Sequence, residues 1–336
     1  MEKHFQFPLQ ILCLCLLILA ATACGSSKKN TQEQEDLSEE PTVQAPLFNA
    51  DSAYAYVARQ VEFGPRVPNT QAHRNCGNYL EAQLKKFGAK VYSQEAELMA
   101  YDGTLLKARN LIGVYNPDTR KRVLLCAHWD TRPYADEGEE EKHHTPIDGA
   151  NDGASGVGVL LEIARQIQLQ APTIGIDIVF FDAEDYGTPD FYDGPRKPDT
   201  WCLGSQYWGR IPHVPDYKAR FGILLDMVGG KGATFYYEGY SRRTANQAMQ
   251  KIWKAAHRRG YDNFFIQSAG GEVTDDHIYV NQFRQIPCVD IIDFNPHTDT
   301  GFNPNWHTVN DNMEHIDKAT LQAVGQTVMD VIYNEK

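Results

Sequence analysis

Apolar positions along this chain follow two periods, one helical and one of strands. Over 51–62 and 71–87 they recur at helical spacing and stop near Gly64 and Gly88, which predicts two helices. The run Phe63-Gly64-Pro65-Arg66-Val67-Pro68-Asn69 between them is turn chemistry and predicts a loop. Residues 90–98 and 105–115 read as strands, and 122–127 as a central one. Then come an amphipathic helix over 157–168, strands over 176–181 and 221–226, a helix over 243–259, a strand over 287–292 and a closing helix over 317–333. Strands alternating with helices predict an α/β fold: a single domain over 47–336 with a central mixed, mostly parallel twisted sheet flanked by helices. There is no internal repeat and no second composition zone. Two long irregular stretches, 134–148 and 186–201, read as functional lids or surface loops.

Acids and histidines sit where the hydrophobic runs stop. Leu124-Leu125-Cys126-Ala127 runs into His128-Trp129-Asp130, and 176–181 into Asp182-Ala183-Glu184-Asp185. The run 221–225 meets Asp226, Asp152 lies in Gly149-Ala150-Asn151-Asp152-Gly153 ahead of a helix, and Trp306-His307-Thr308 follows a Pro/Asn-rich loop. Open α/β sheets bind ligands beyond the carboxyl ends of their strands. Carboxylates and imidazoles converging there predict a metal site, and the donor types point to zinc. Singly, each has an ordinary reading: Asp152 as a helix cap, His307 as a packed histidine, Glu184-Asp185 as a charged turn. Five such elements at five predicted sheet ends outweigh those readings.

Composition narrows the function. A formal net charge of -12 excludes nucleic acid as a partner and a basic membrane-surface patch. Lys3 and His4, an apolar stretch from Leu9 to Ala20 and small residues before Cys24 form an export signal over 1–23. Two readings stay open: a lipoprotein signal with Cys24 as the lipidated first residue, or an ordinary secretory signal. Either one implies export, and the first a periplasmic protein held to a membrane through lipid alone. Residues 24–46 are polar and read as a flexible tether. Cys76, Cys126, Cys202 and Cys288 permit disulfides without requiring them. The acid run before His143-His144 reads as a solvated face. Ser155 starts a helix and is no nucleophile.

His128-x-Asp130, Gly149-Ala150-Asn151-Asp152, Glu184-Asp185, Asp226 and His307-Thr308 resemble the co-catalytic zinc aminopeptidase (peptidase M28) superfamily over about 47–336. Within it, Phe63-Gly64-Pro65-Arg66, Leu224-Leu225-Asp226-Met227-Val228-Gly229, Asp275-Asp276-His277-Ile278 and Trp306-His307-Thr308-Val309-Asn310-Asp311-Asn312 resemble the type II (animal-type) glutaminyl cyclases, as a bacterial member. Aminopeptidases of this fold usually carry Ser-Asp-His at 275–277 and lack the tryptophan before His-Thr. The resemblance implies one zinc on Asp152, Asp185 and His307, with a substrate's N-terminal glutamine amide at the open position. It implies Glu184 as general base and acid, and Asp226 and Asp275 sharing a hydrogen bond. His128 stands as a possible second-metal ligand or support, with Asp130 as its partner. Trp306, Phe302, Val273 and Trp201 are expected to line the substrate pocket. The family usually has Glu where this chain has Asp185.

Three functions follow: a glutaminyl-peptide cyclotransferase acting on N-terminal Gln peptides and proteins, a two-zinc aminopeptidase using His128 and Asp226 on a second ion, and a non-catalytic exported binding protein. The sequence sets no number of subunits.

Overall fold

The structure, a computed structural model, describes residues 43–336. The export signal, Cys24 and tether residues 24–42 lie outside the described residues. The rest of the tether departs from expectation. Val43 N–H donates to Asn334 Oδ1 at 2.7 Å, Gln326 donates to the Pro46 carbonyl, and Ala45 is 3% exposed. Residues 43–46 are therefore tied to the domain, with Ala45 buried, because Gln326 of the last helix and Asn334 just after it bond their backbone.

Six strands form one sheet: β1 (Lys90–Met99), β2 (Leu105–Tyr115), β3 (Arg122–His128), β4 (Gly175–Phe181), β5 (Gly222–Asp226) and, skipping two further strands, β8 (Cys288–Ile292). Their order is β1-β2-β4-β3-β5-β8. The pairs β4/β3, β3/β5 and β5/β8 are parallel, while β1/β2 and β2/β4 are antiparallel. Every residue of β3, β4, β5 and β8 is buried, as continuous apolar runs covered on both faces require. Edge strand β1 alternates between half-buried and exposed positions, since only one of its faces is covered.

Helices α1 (Ala50–Val61), α2 (Gln71–Lys86) and α3 (Ala154–Leu169) fall near their expected positions. Asn49 and Thr70 cap the first two by accepting N–H groups from Ser52 and His73. Helix α3 is buried almost all round, between the sheet and α1 and α8 (Lys318–Tyr333). Gly156 sets that contact: a Cβ there would lie 2.2 Å from the Leu225 carbonyl oxygen.

The expected helix 243–259 is two helices, α5 (Gly239–Thr244) and α6 (Asn246–Arg258), broken at Ala245 with φ -133°. Glu238 starts the first by accepting from Tyr240 and Ser241 at 2.8 and 2.6 Å. Four elements were not foreseen: α4 (Leu203–Arg210), α7 (Asp276–Arg284) and the separate parallel pair β6 (Phe235–Tyr237) and β7 (Phe265–Ala269). All are short, so their apolar residues span too little chain to show a period. Cys76, Cys126, Cys202 and Cys288 are buried and free. No helix of the described residues is long and apolar enough to cross a membrane.

Against the apolar cluster that includes Trp208 of α4 and Val280 of α7 lies an acid-sensitive histidine. His213 packs among Tyr92, Trp208 and Tyr217, and its Nδ1 accepts the Trp208 indole N–H at 3.2 Å. A protonated ring could not accept that bond. Burial pushes its pKa from 6.5 down to about 4. Native His213 thus binds fewer protons than the unfolded chain between those values. Its contribution is complete above pH 6.5 and is lost as pH falls through about 4. Denaturation of His213→Gln at pH 7 and near pH 4 is expected to show a shallower acid loss than wild type, by on the order of 2–3 kcal/mol. Equal acid losses would refute it.

Candidate metal centre and active site

The sheet delivers its site residues at the carboxyl ends of the parallel strands. β3 ends on His128, β4 runs into Asp182-Ala183-Glu184-Asp185, β5 ends on Asp226, and Asp152 precedes α3. Ligand-capable atoms of Asp152, Asp185 and His307 lie within 4.8 Å of one another, and all three residues are buried. His307 Nε2 stands 3.1 Å from Asp185 Oδ1 and 3.5 Å from Asp152 Oδ2. Burial, with the Arg132 charge beside it, pushes the His307 pKa down to about 3, so the ring is neutral, as a metal ligand requires. Burial and the Asp152 charge push Asp185 well above the usual carboxylate range, and its Oδ2 is buried with no hydrogen-bond partner. Two carboxylates, a neutral imidazole and an orphaned oxygen fit zinc with one position open.

Backbone strain concentrates here. Ala183, Cys202, Met227 and His307 have φ of 53°, 57°, 49° and 51°, left-handed values that side chains other than glycine rarely adopt. Specific bonds hold these turns. Asp130 accepts the N–H groups of Glu184 and Asp185, both at 3.1 Å. Its Oδ1 also lies 3.6 Å from His128 Nδ1, an ion-pair distance, so Asp130 stands beside His128 as expected while its hydrogen bonds go to the turn after β4. Asp311 grips the Asp152 loop by accepting from Asn151 N at 2.7 Å and Asp152 N at 3.0 Å. At Gly153, with φ 96°, a Cβ would meet the Asp130 carbonyl oxygen at 2.5 Å.

A cavity of about 320 Å³ opens on the three ligands. All four residues expected on its wall are there: Trp201, Val273, Phe302 and Trp306. Glu184, Asp226 and Asp275 line it too. Trp306 stacks on His307 with ring centroids 3.8 Å apart, and Trp201 lies parallel to the same ring at 5.9 Å. Arg132 sits over Trp201 at 4.4 Å and pairs with Asp136 through bonds of 2.5 and 2.6 Å. Asp136 in turn faces His307 Nδ1 at 3.6 Å. Within the acid run read as a solvated face, Asp136 is thus an exception, buried because Arg132 pairs with it. Its spacing of four from Arg132 was the signal available in the sequence.

His128 and Asp130 are fully buried and do not line the cavity. His128 Nε2 approaches Asp152 Oδ1 at 3.0 Å and Asp226 Oδ1 at 3.2 Å, a second group of possible ligands that shares Asp152. Burial opposes charge on this ring, but the three surrounding aspartates raise its pKa well above the usual value. A third group joins Glu184, Cys202 and Asp275. Cys202, at the end of the 186–201 loop, was not foreseen as part of the site. Ser155 is structural, donating to the Asn151 carbonyl and accepting Val228 N–H.

Residues 110–332 match the sequence pattern of Peptidase family M28. Two solved structures are similar over their whole length: a glutaminyl cyclase from Tannerella forsythia (62% identity, TM-score 0.85, 87% of this chain and 100% of that one) and a Zn-dependent exopeptidase from Parabacteroides distasonis (62%, 0.86, 87% and 100%). Curated relatives are more distant. Aminopeptidase YwaD of Bacillus subtilis is 26% identical over 277 residues, which cover 80% of this chain, and the glutaminyl-peptide cyclotransferase of Bos taurus 24% over 243 residues, covering 63%. The chain spans 54% and 62% of the lengths of these two proteins.

Proposed function

The chain belongs to peptidase family M28, and on that premise we propose that it is a zinc-dependent glutaminyl-peptide cyclotransferase, converting N-terminal glutamine of peptides and proteins to pyroglutamate and ammonia. Glu184 carries this reading. It is a carboxyl on the cavity wall, beside the three-ligand group but outside it, with Asp275 close by.

The substrate supplies its own nucleophile, the α-amine, which attacks the γ-carbonyl carbon as the C–N bond to the leaving ammonia breaks. Asp152, Asp185 and His307 would hold the zinc, which when bound would supply Lewis-acid polarisation of that amide. Glu184 takes the proton that the attacking amine nitrogen sheds and returns it to the departing nitrogen, which leaves as ammonia. The cavity holds amine and amide together, which favours an intramolecular ring closure. Trp306, Phe302, Val273 and Trp201 enclose the glutamine side chain in an apolar sleeve. Burial, then the charge of Asp226, push Asp275 up to about 7. The hydrogen bond expected between the two is not formed: Asp275 Oδ1 accepts the Asp276 N–H at 2.5 Å, its Oδ2 has no hydrogen-bond partner, and Asp226 Oδ1 faces His128 Nε2, so the two acids interact through charge alone.

Incubation with a Gln-led peptide is expected to yield product lighter by one ammonia, with one zinc bound per chain. The shared Asp152 of the His128 and Asp226 group favours a second reading, a two-zinc aminopeptidase. Release of free amino acids by protein holding two tightly bound zincs would decide for the peptidase.

We further propose that the protein is exported to the periplasm and anchored through lipid on Cys24. The short apolar stretch ending in small residues before that cysteine supports this. Cells grown with labelled palmitate are expected to label wild type but not Cys24→Ala. An unlabelled wild-type protein would leave only the secretory reading.

A further inference from the structure

We infer that Cys202 is a positioning residue for Glu184: its thiol, donating to Glu184 Oε1 at 3.1 Å, fixes which carboxylate oxygen remains to exchange protons with the substrate. The inference rests on the proton-shuttle role proposed for Glu184 and adds the group that holds that side chain still.

Three observations carry it. First, the backbone places the thiol firmly. Cys202 N–H donates to the Glu184 carbonyl and Leu203 N–H to the Ala183 carbonyl, both at 3.0 Å, so the chain returns to residue 184 after the long loop. Second, Cys202 holds the N-cap position of α4 yet makes no side-chain cap bond. A capping side chain bonds the first turn of its helix from an extended backbone. Here φ 57° and ψ 34° turn the side chain to the glutamate instead. That left-handed geometry costs free energy, and such conformations persist at sites where the surroundings enforce them. Third, the thiol is fully buried beside two acids, Glu184 and Asp275. Burial, reinforced by the Glu184 charge, raises its pKa well above the ordinary thiol value. The sulfur therefore keeps its proton and serves as a donor, not as a thiolate ligand or nucleophile.

An S–H donor is weak, which suits the role. It orients a carboxylate without neutralising it. With Oε1 engaged, Oε2 is left for the proton that moves during catalysis.

Two measurements on full-length zinc-loaded protein test this. The S–H stretching band of Cys202, assigned by difference from Cys202→Ala, is expected at lower frequency in wild type than in Glu184→Ala, where the acceptor is gone. In Gln-peptide turnover, Cys202→Ala is expected to lower kcat by about tenfold with KM within about twofold and zinc retained. Cys202→Ser, which keeps a donor and meets the same left-handed backbone cost as Ala, is expected to recover most of that loss. An identical band in wild type and Glu184→Ala overturns the inference, as does Cys202→Ala at wild-type rate or Cys202→Ser as slow as Ala. If wild type releases no ammonia at all, the cyclase reading falls, while the band comparison still decides whether the thiol holds Glu184.

Discussion

Replacing Glu184 with Gln is expected to remove ammonia release while leaving zinc in place. The substitution conserves shape and keeps an oxygen that can accept the Cys202 thiol. It leaves the Glu184 N–H bonded to Asp130, because that bond belongs to the backbone. Asp152, Asp185 and His307 are untouched, so metal content serves as an internal control. What disappears is the capacity to take up and return a proton. Burial, and beyond it the nearby Asp185 charge, push Glu184 well above the ordinary carboxylate range. A group that holds its proton more tightly than a free carboxyl suits both halves of the transfer near neutral pH. General acid–base catalysis contributes about 10²–10⁴-fold, and the rate is expected to fall by that order with KM little changed. Steady-state ammonia release and metal analysis on the same preparation check this. Near-normal turnover with zinc bound would remove Glu184 from the mechanism.

The polar side chains of the site were legible in advance because strand ends are legible, whereas the apolar wall of Trp201, Val273, Phe302 and Trp306 was expected only from the family resemblance. Where an apolar run stops at a charged residue, the sheet stops too, and β3, β4 and β5 deliver His128, Glu184-Asp185 and Asp226 there. Other features depend on partners far away in sequence. Nothing around Ala245 marks the break between α5 and α6, since no Gly or Pro stands there, and the start of α5 is set by the Glu238 side chain. Asp136 looked solvated inside an acid run, and only the fold brings Arg132 and His307 against it. Asp130 stands beside His128 as expected, but that its carboxylate also holds the turn after β4 was not legible. Asp311 stood in a recognisable motif without revealing that it clamps Asn151 and Asp152. In each case composition showed that a polar group was present, and topology decided what it held.

His307→Ala is expected to cost the metal itself. The ring supplies the one nitrogen of the three-ligand group, and burial keeps it neutral and able to bind. Without it, Asp152 and Asp185 face each other across a buried gap, two like charges lacking a third donor. Loss of partners around a metal ligand typically costs 10–100-fold in affinity, so removing the ligand is expected to weaken zinc binding by more than about 100-fold. Chelator should then strip the variant where it leaves wild type loaded, and added zinc should no longer raise Tm, since that rise depends on binding to the folded state. His128→Ala makes the comparison informative. If one zinc sits on Asp152, Asp185 and His307, the His128 variant keeps its metal and loses only the contacts of 3.0 and 3.2 Å that steady Asp152 and Asp226. If instead His307→Ala stays fully loaded and His128→Ala empties, the ion belongs to the second group. Glu184 would then have to work beside a different centre, and the assignment of the open position to a glutamine amide would fail with it.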